Sequence, residues 1–77
     1  MNKAEVLEKV IAVFARTSEA EEVRADSELL EDLELSSIDI FMILVELEDM
    51  FGVKISENDV RGMATVEDVC DIVLRLM

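Results

Sequence analysis

Histidine, tryptophan, tyrosine and proline are absent from this chain, cysteine occurs once and glycine twice. Without histidine there is no Ser-His triad, no Cys-His pair and no histidine-based metal site. A lone cysteine forms no internal disulfide, the usage expected in a reducing compartment. Cys70 also falls on an apolar helical stripe with Val66, Val69 and Val73, the setting of a small core hydrophobe rather than a reactive thiol. Three phenylalanines are the only aromatics. The core must therefore be built from branched aliphatics and methionine, and with no proline to break them the segments favour helix.

Basic residues are scarce as well, seven against nineteen acidic, for a net charge of −12. On so small a surface that field repels nucleic acid and anionic lipid and attracts divalent cations only loosely. No window supplies the alternating oxygen ligands, central glycine and closing glutamate of a calcium-binding EF-hand loop, so acidity alone does not make a calcium sensor. Charges at Glu5, Glu8 and Lys9 interrupt any apolar run of signal-peptide length, and no segment is long and uncharged enough to span a bilayer. A cytoplasmic protein without stable membrane insertion is expected. Seventy-seven residues suffice for one domain, 1–77, around one small core.

The pattern that is present is helical throughout. Asn2 followed by Glu5 reads as a helix start, and Val6, Leu7, Val10, Ile11 and Phe14 share one face of a helix running to about Arg16. From Thr17 to Leu35 comes a long connection. Its Val23, Leu29, Leu30, Leu33 and Leu35 are spaced too regularly for disorder and predict a loop packed on the bundle, with a short turn of helix near Ser27. A second helix spans Ser37 to Phe51 and stops at Gly52. Ser56 with Asp59 opens a short third helix ended by Gly62, and Thr65 with Asp68 opens a fourth carrying Val66, Val69, Cys70, Val73 and Leu76. The expected fold is an all-α four-helix bundle with three main helices, a short third one and a long loop between the first two.

The segment richest in chemical meaning is Glu31-Asp32-Leu33-Glu34-Leu35-Ser36-Ser37-Ile38-Asp39. Ser36 and Asp39 form a Ser-x-x-acid box that makes Ser36 an N-cap and Ser37 the first helical residue. There the side chain faces solvent beside backbone N–H groups with no intrahelical partner, at the positive end of the helix dipole. An anion carried on such a serine would be well placed, although capping chemistry alone is equally served if both serines are only caps.

With Asp32-Leu33 upstream, Ser37-Ile38-Asp39 at the helix start and Leu47-Glu48-Asp49-Met50-Phe51-Gly52-Val53-Lys54-Ile55 closing the apolar run, the segment resembles the acyl carrier proteins. Asp26-Ser27, Ser56 and Thr65 extend the likeness over nearly the whole chain. The family's Asp-Ser-Leu tripeptide corresponds here to Ser36-Ser37-Ile38, which implies a covalent phosphopantetheine on Ser37, with Ser36 as the other possibility. Two departures stand out: Ser36 replaces the usual acidic residue, and Glu34 the usual glycine. The resemblance implies that a phosphopantetheinyl transferase loads the serine from coenzyme A. Acyl chain cargo then rides as a thioester on the arm's thiol, delivered to acyl synthetases, ketosynthases or acyltransferases of fatty-acid, lipid or polyketide-type biosynthesis. The chain itself would be a monomeric carrier and not an enzyme, since no histidine or lysine adjoins Ser37 to activate it.

At 100° per residue, Ile40, Ile43, Leu44, Leu47 and Phe51 lie on one arc of the second helix, and Ile38, Phe41, Met42 and Val45 on another. A helix apolar on two faces in a bundle this small has a second use. The second arc borders Ser37 and is rimmed by Glu46, Glu48 and Asp49, so the expected docking set for basic patches on partners is Ile38, Asp39, Phe41, Met42, Val45, Glu48 and Asp49. The competing expectation is that Phe41 and Val45 pack beneath the long loop. Leu44, Leu47, Ile55, Val60, Met63 and Ile72 are the expected lining for a partly buried acyl chain. A different class of function, an acidic helical interaction module with no prosthetic group, would use the same second arc.

Overall fold

The computed structural model describes residues 2–77. Four helices follow in order: α1 Lys3–Thr17, α2 Ser37–Phe51, α3 Glu57–Arg61 and α4 Val66–Leu76. Each begins at a side-chain cap. Asn2 accepts from the Glu5 N–H before α1, and Ser36/Asp39, Ser56/Asp59 and Thr65/Asp68 form reciprocal capping boxes before α2, α3 and α4. These bonds satisfy donors that a helix start otherwise leaves open. At its far end α2 closes on Gly52, left-handed at φ 67°, with its N–H on the Glu48 carbonyl.

α1 packs on α4 and on α2. Val6, Val10, Val13 and Phe14 of α1 meet Ile43, Leu44 and Leu47 of α2 and Val66, Val69, Cys70 and Val73 of α4 in one core. Arg16 reaches across to the Glu46 carboxylate at 2.5 Å and Lys3 to Asp71 at 3.2 Å, fastening the outer edges of these pairs. Both pairs are well exposed and contribute little on their own.

The long connection is ordered by its backbone. Ser27 is buried and its hydroxyl accepts from the Arg24 N–H at 2.9 Å. The segment then runs beside the start of α4. The Val66 N–H donates to the Ser27 carbonyl, the Glu67 N–H to the Ala25 carbonyl and the Leu29 N–H to the Ala64 carbonyl, and Glu28 pairs with Thr65 as an isolated antiparallel bridge. Leu29, Leu33 and Leu35 are buried, as the spacing led one to expect, and Val23 is half-buried. The expected turn of helix near Ser27 is a single hydrogen-bonded turn just after it, in which the Asp32 and Leu33 N–H groups share the Glu28 carbonyl. Leu30 departs from expectation. That tight turn directs residues 29 and 33 inward and leaves Leu30 66% exposed.

Candidate attachment site at the start of α2

Ser36 is extended, at φ −82° and ψ 169°, and its hydroxyl oxygen accepts from the Asp39 N–H at 3.2 Å. The Asp39 carboxylate returns the bond, accepting from the Ser36 N–H at 3.1 Å. Ser36 is thus engaged as a cap. Ser37, one residue on, is exposed, and its side chain has no hydrogen-bond partner among the described residues. Nor do the Ser37 and Ile38 N–H groups, the first two donors of α2. Two free donors and the positive helix end surround an unengaged hydroxyl, an arrangement suited to a negatively charged ester.

Two grooves meet at Ser37. One, of about 480 Å³, runs between α2 and α3, walled by Ile40, Phe41, Leu44, Val45, Ile55 and Val60 with Glu48 and Arg61 at its edges. The other, of about 410 Å³, lies under the α1–α2 connection and is lined by Leu29, Leu30, Ile40, Val60 and Met63 with Glu28 and Glu31. Of the expected acyl lining, Leu44, Ile55 and Val60 face the first groove and Met63 the second. Leu47 and Ile72 face neither. Leu47 is fully buried in the core.

The second arc of α2 is exposed. Ile38, Phe41, Met42 and Val45 are 72, 68, 59 and 40% accessible, so Phe41 and Val45 do not pack beneath the loop. Asp49 is exposed too, but two other members of the expected docking set already have structural work. Asp39 is half-buried in its capping box. Glu48, expected on the rim, is half-buried, and its carboxylate accepts from the Ile55 N–H at 2.7 Å, tying the α2–α3 turn to α2. Glu46 is paired with Arg16. The charged rim that remains unengaged on α2 is therefore Asp49.

Elsewhere, among the described residues, neither the cysteine nor the carboxylates form a rival centre. Cys70 is buried, with Sγ 4.0 Å from the Lys3 carbonyl, and burial pushes its thiol up from the ordinary value, away from the reactive thiolate. Among the described residues no cluster of three or more carboxylates or cysteines is arranged to hold a metal, and no helix is long and apolar enough to cross a membrane.

Residues 5–73 match the family model described as a phosphopantetheine attachment site. An acyl carrier protein of Thermosynechococcus vestitus is 36% identical over 75 residues, covering 95% of this chain and 93% of that protein. The chain belongs to the acyl carrier protein family. A meromycolate extension acyl carrier protein of Mycolicibacterium aurum is 34% identical over 73 residues, 95% of this chain and 70% of the relative. Among solved structures, a Mycobacterium tuberculosis chain assigned to the acyl carrier proteins superposes with TM-score 0.84 at 30% identity, covering 94% of this chain and 99% of that one. The Thermotoga maritima acyl carrier protein shares the fold at TM-score 0.79 and 23% identity, covering 99% and 91%. Both neighbours bear out the all-α fold of four helices, and the family's cofactor is phosphopantetheine. Members of this family are carriers rather than catalysts, and their cargo is an acyl chain.

Proposed function

We propose that residues 1–77 form one carrier domain in which Ser37 holds the phosphopantetheine arm, and that the protein shuttles acyl intermediates in the cytoplasm among enzymes of fatty-acid, lipid or polyketide-type biosynthesis. The observation that carries this reading is the division of labour at the start of α2. Ser36 spends its hydroxyl oxygen on the cap, while Ser37 offers an exposed, unengaged hydroxyl at the junction of two grooves. When bound, the arm supplies a thiol that holds acyl groups as thioesters. The N–H groups of Ser37 and Ile38 are the donors available to its phosphate, and Ile40 and Val60, common to both grooves, are the apolar floor beside it.

Ser37 acts here as the acceptor in a reaction catalysed elsewhere. Among the described residues no basic side chain is bonded to its hydroxyl, and the proton is taken by a separate phosphopantetheinyl transferase. The protein is thus a substrate and carrier, not an enzyme. Ile38, Phe41, Met42 and Val45, with Asp49 beside them, form the face on which that transferase and later acyl synthetases, ketosynthases or acyltransferases dock, their basic patches drawn by the net charge of −12. Asp39 and Glu48 contribute to docking by fixing the backbone around the face.

Intact-protein mass spectrometry with peptide mapping tests the reading, after incubation with coenzyme A, Mg²⁺ and a broad-specificity transferase. The expected result is one phosphopantetheine adduct on Ser37, absent from Ser37→Ala. Failure of several transferases to modify either Ser36 or Ser37 would replace the carrier reading with an unmodified interaction module.

A further inference from the structure

Leu30 is an apolar side chain that neither the core nor the exposed arc of α2 accounts for. It stands 66% exposed while its neighbours Leu29 and Leu33 are buried. The backbone on both sides is fixed. The Leu29 N–H donates to the Ala64 carbonyl at 3.0 Å, the Asp32 and Leu33 N–H groups donate to the Glu28 carbonyl, and the Asp32 carboxylate accepts from the Glu28 N–H at 2.8 Å. Held in this way, Leu30 lines the second groove together with Ser37, flanked by Glu28 and Glu31.

Those two glutamates are unfavourable neighbours. The Glu31 carboxyl, through a hydrogen bond and then through its charge, raises the Glu28 carboxyl above its ordinary value. A like-charge pair on so acidic a surface is relieved by an incoming cation, and an apolar anchor rimmed by charge is how partner surfaces are commonly built.

We propose that Leu30, Glu28 and Glu31 form a second docking element beside Ser37, and that its occupant is the enzyme that loads this serine, which sets an apolar contact on Leu30 and a basic side chain between the two glutamates. The proposal rests on Ser37 being the attachment residue. An enzyme acting on the serine hydroxyl must bring its own reacting atoms to the protein surface, and so must touch both sides of Ser37. Enzymes that act at the far end of a long flexible arm need not. The loading enzyme is therefore the partner for which a second anchor next to the serine matters most.

The test is steady-state loading of the full chain with coenzyme A, Mg²⁺ and a broad-specificity phosphopantetheinyl transferase, with carrier concentration varied. Leu30→Ser is expected to raise KM about fivefold with kcat within about twofold, as for loss of one interface anchor, and to leave the melting temperature unchanged. The double variant Glu28→Gln/Glu31→Gln is expected to raise KM at low salt and flatten its salt dependence. Met50→Ser removes another exposed apolar side chain, about 20 Å along α2 from Ser37, and is expected to leave KM as it was.

An unchanged KM for Leu30→Ser, with the wild type loading normally, would overturn the second docking element and leave the Ser37 assignment standing. An equal rise for Met50→Ser would overturn it too, by showing that the effect is not local. If Leu30→Ser unfolds, the paired glutamine variant decides in its place. A wild type that takes no adduct would instead overturn the Ser37 assignment, and the docking element with it.

Discussion

The starts of α2 and α4 carry the same capping box, yet they differ in what surrounds it. At α4 every early donor is used. Val66 and Glu67 donate to the carbonyls of Ser27 and Ala25, and the Asp68 N–H to the Thr65 hydroxyl oxygen. At α2, among the described residues, only the third donor is used, by Ser36, and the two before it are unpaired beside an exposed serine and two grooves. The α1–α2 connection makes this difference, since it lies along one helix start and leaves the other open. A capping box alone does not mark a site; a capping box whose remaining donors are unspent, next to a free hydroxyl, does.

The largest effects are expected from substitutions at the two helix starts themselves. Ser37→Ala is expected to abolish loading and leave folding intact, because the exposed hydroxyl makes no bond among the described residues. Thr65→Ala is expected to load like the wild type but to lose about 1 kcal/mol of stability with its cap, roughly 4–8 °C in Tm for a domain of this size. Ser36→Ala should pair a similar loss of stability with normal loading. Mass spectrometry of the adduct and thermal unfolding followed by circular dichroism read both axes, and loading by Ser37→Ala at Ser36 would reverse the assignment of the two serines.

Next in size is the exposed arc of α2 against the buried one. Phe41→Ala is expected to weaken partner binding about tenfold, measured by calorimetry with a loading or acyl-transferring enzyme, with only a small shift in Tm. Leu47→Ala, from the arc buried in the core, is expected to cost about 2–5 kcal/mol. Equal losses of binding and stability for Phe41→Ala would mean that the arc is part of the core.

The start of α4 is also sensitive to acid. The Asp68 carboxylate accepts from the Ala64 and Thr65 N–H groups at 2.9 and 3.1 Å, and these bonds, with the Thr65 hydroxyl, hold it below the ordinary value. A carboxyl held low in the folded state is more readily protonated in the unfolded one, so its stabilisation is fully present above the ordinary value of 3.8 and is lost as pH falls through the lower folded value. Thermal unfolding of Asp68→Asn should therefore lie below that of the wild type at neutral pH, and the two curves should converge in acid. A gap that persists at the lowest pH would assign the effect to packing.

The smallest effect concerns the approach to α2. Glu34 sits at φ 51°, left-handed backbone that a residue with a Cβ adopts at a cost. Glu34→Gly is expected to raise the urea midpoint by an amount equivalent to about 0.5 kcal/mol, the relief of strain being partly offset by the greater freedom of glycine in the unfolded chain.

The helix starts were legible in the sequence because a cap is a local event, written in residues three apart, and the bounds of α2 follow from Ser36 and Gly52 alone. The second apolar arc was legible for the same reason. What decides between the two starts was not, because the bonds that seal α4 come from the backbone carbonyls of Ala25 and Ser27, which leave no side-chain signature. Leu30 looked like its neighbours in an apolar pattern, and only the single turn at 28–33 puts it outside. Glu48 reads as rim from its position on the helix, and its bond to the Ile55 N–H depends on how the α2–α3 turn folds back. The missing glycine at 34 was visible as a departure, while its left-handed backbone belongs to the fold.

Backbone amide resonances recorded before and after loading by the transferase report directly on the unspent donors of α2. The Ser37 and Ile38 amide protons are expected to move downfield as these donors meet the phosphate, with Val66 and Glu67 unmoved. Amide protons of Ser37 and Ile38 that keep their positions in a protein carrying the adduct on Ser37 would contradict that expectation.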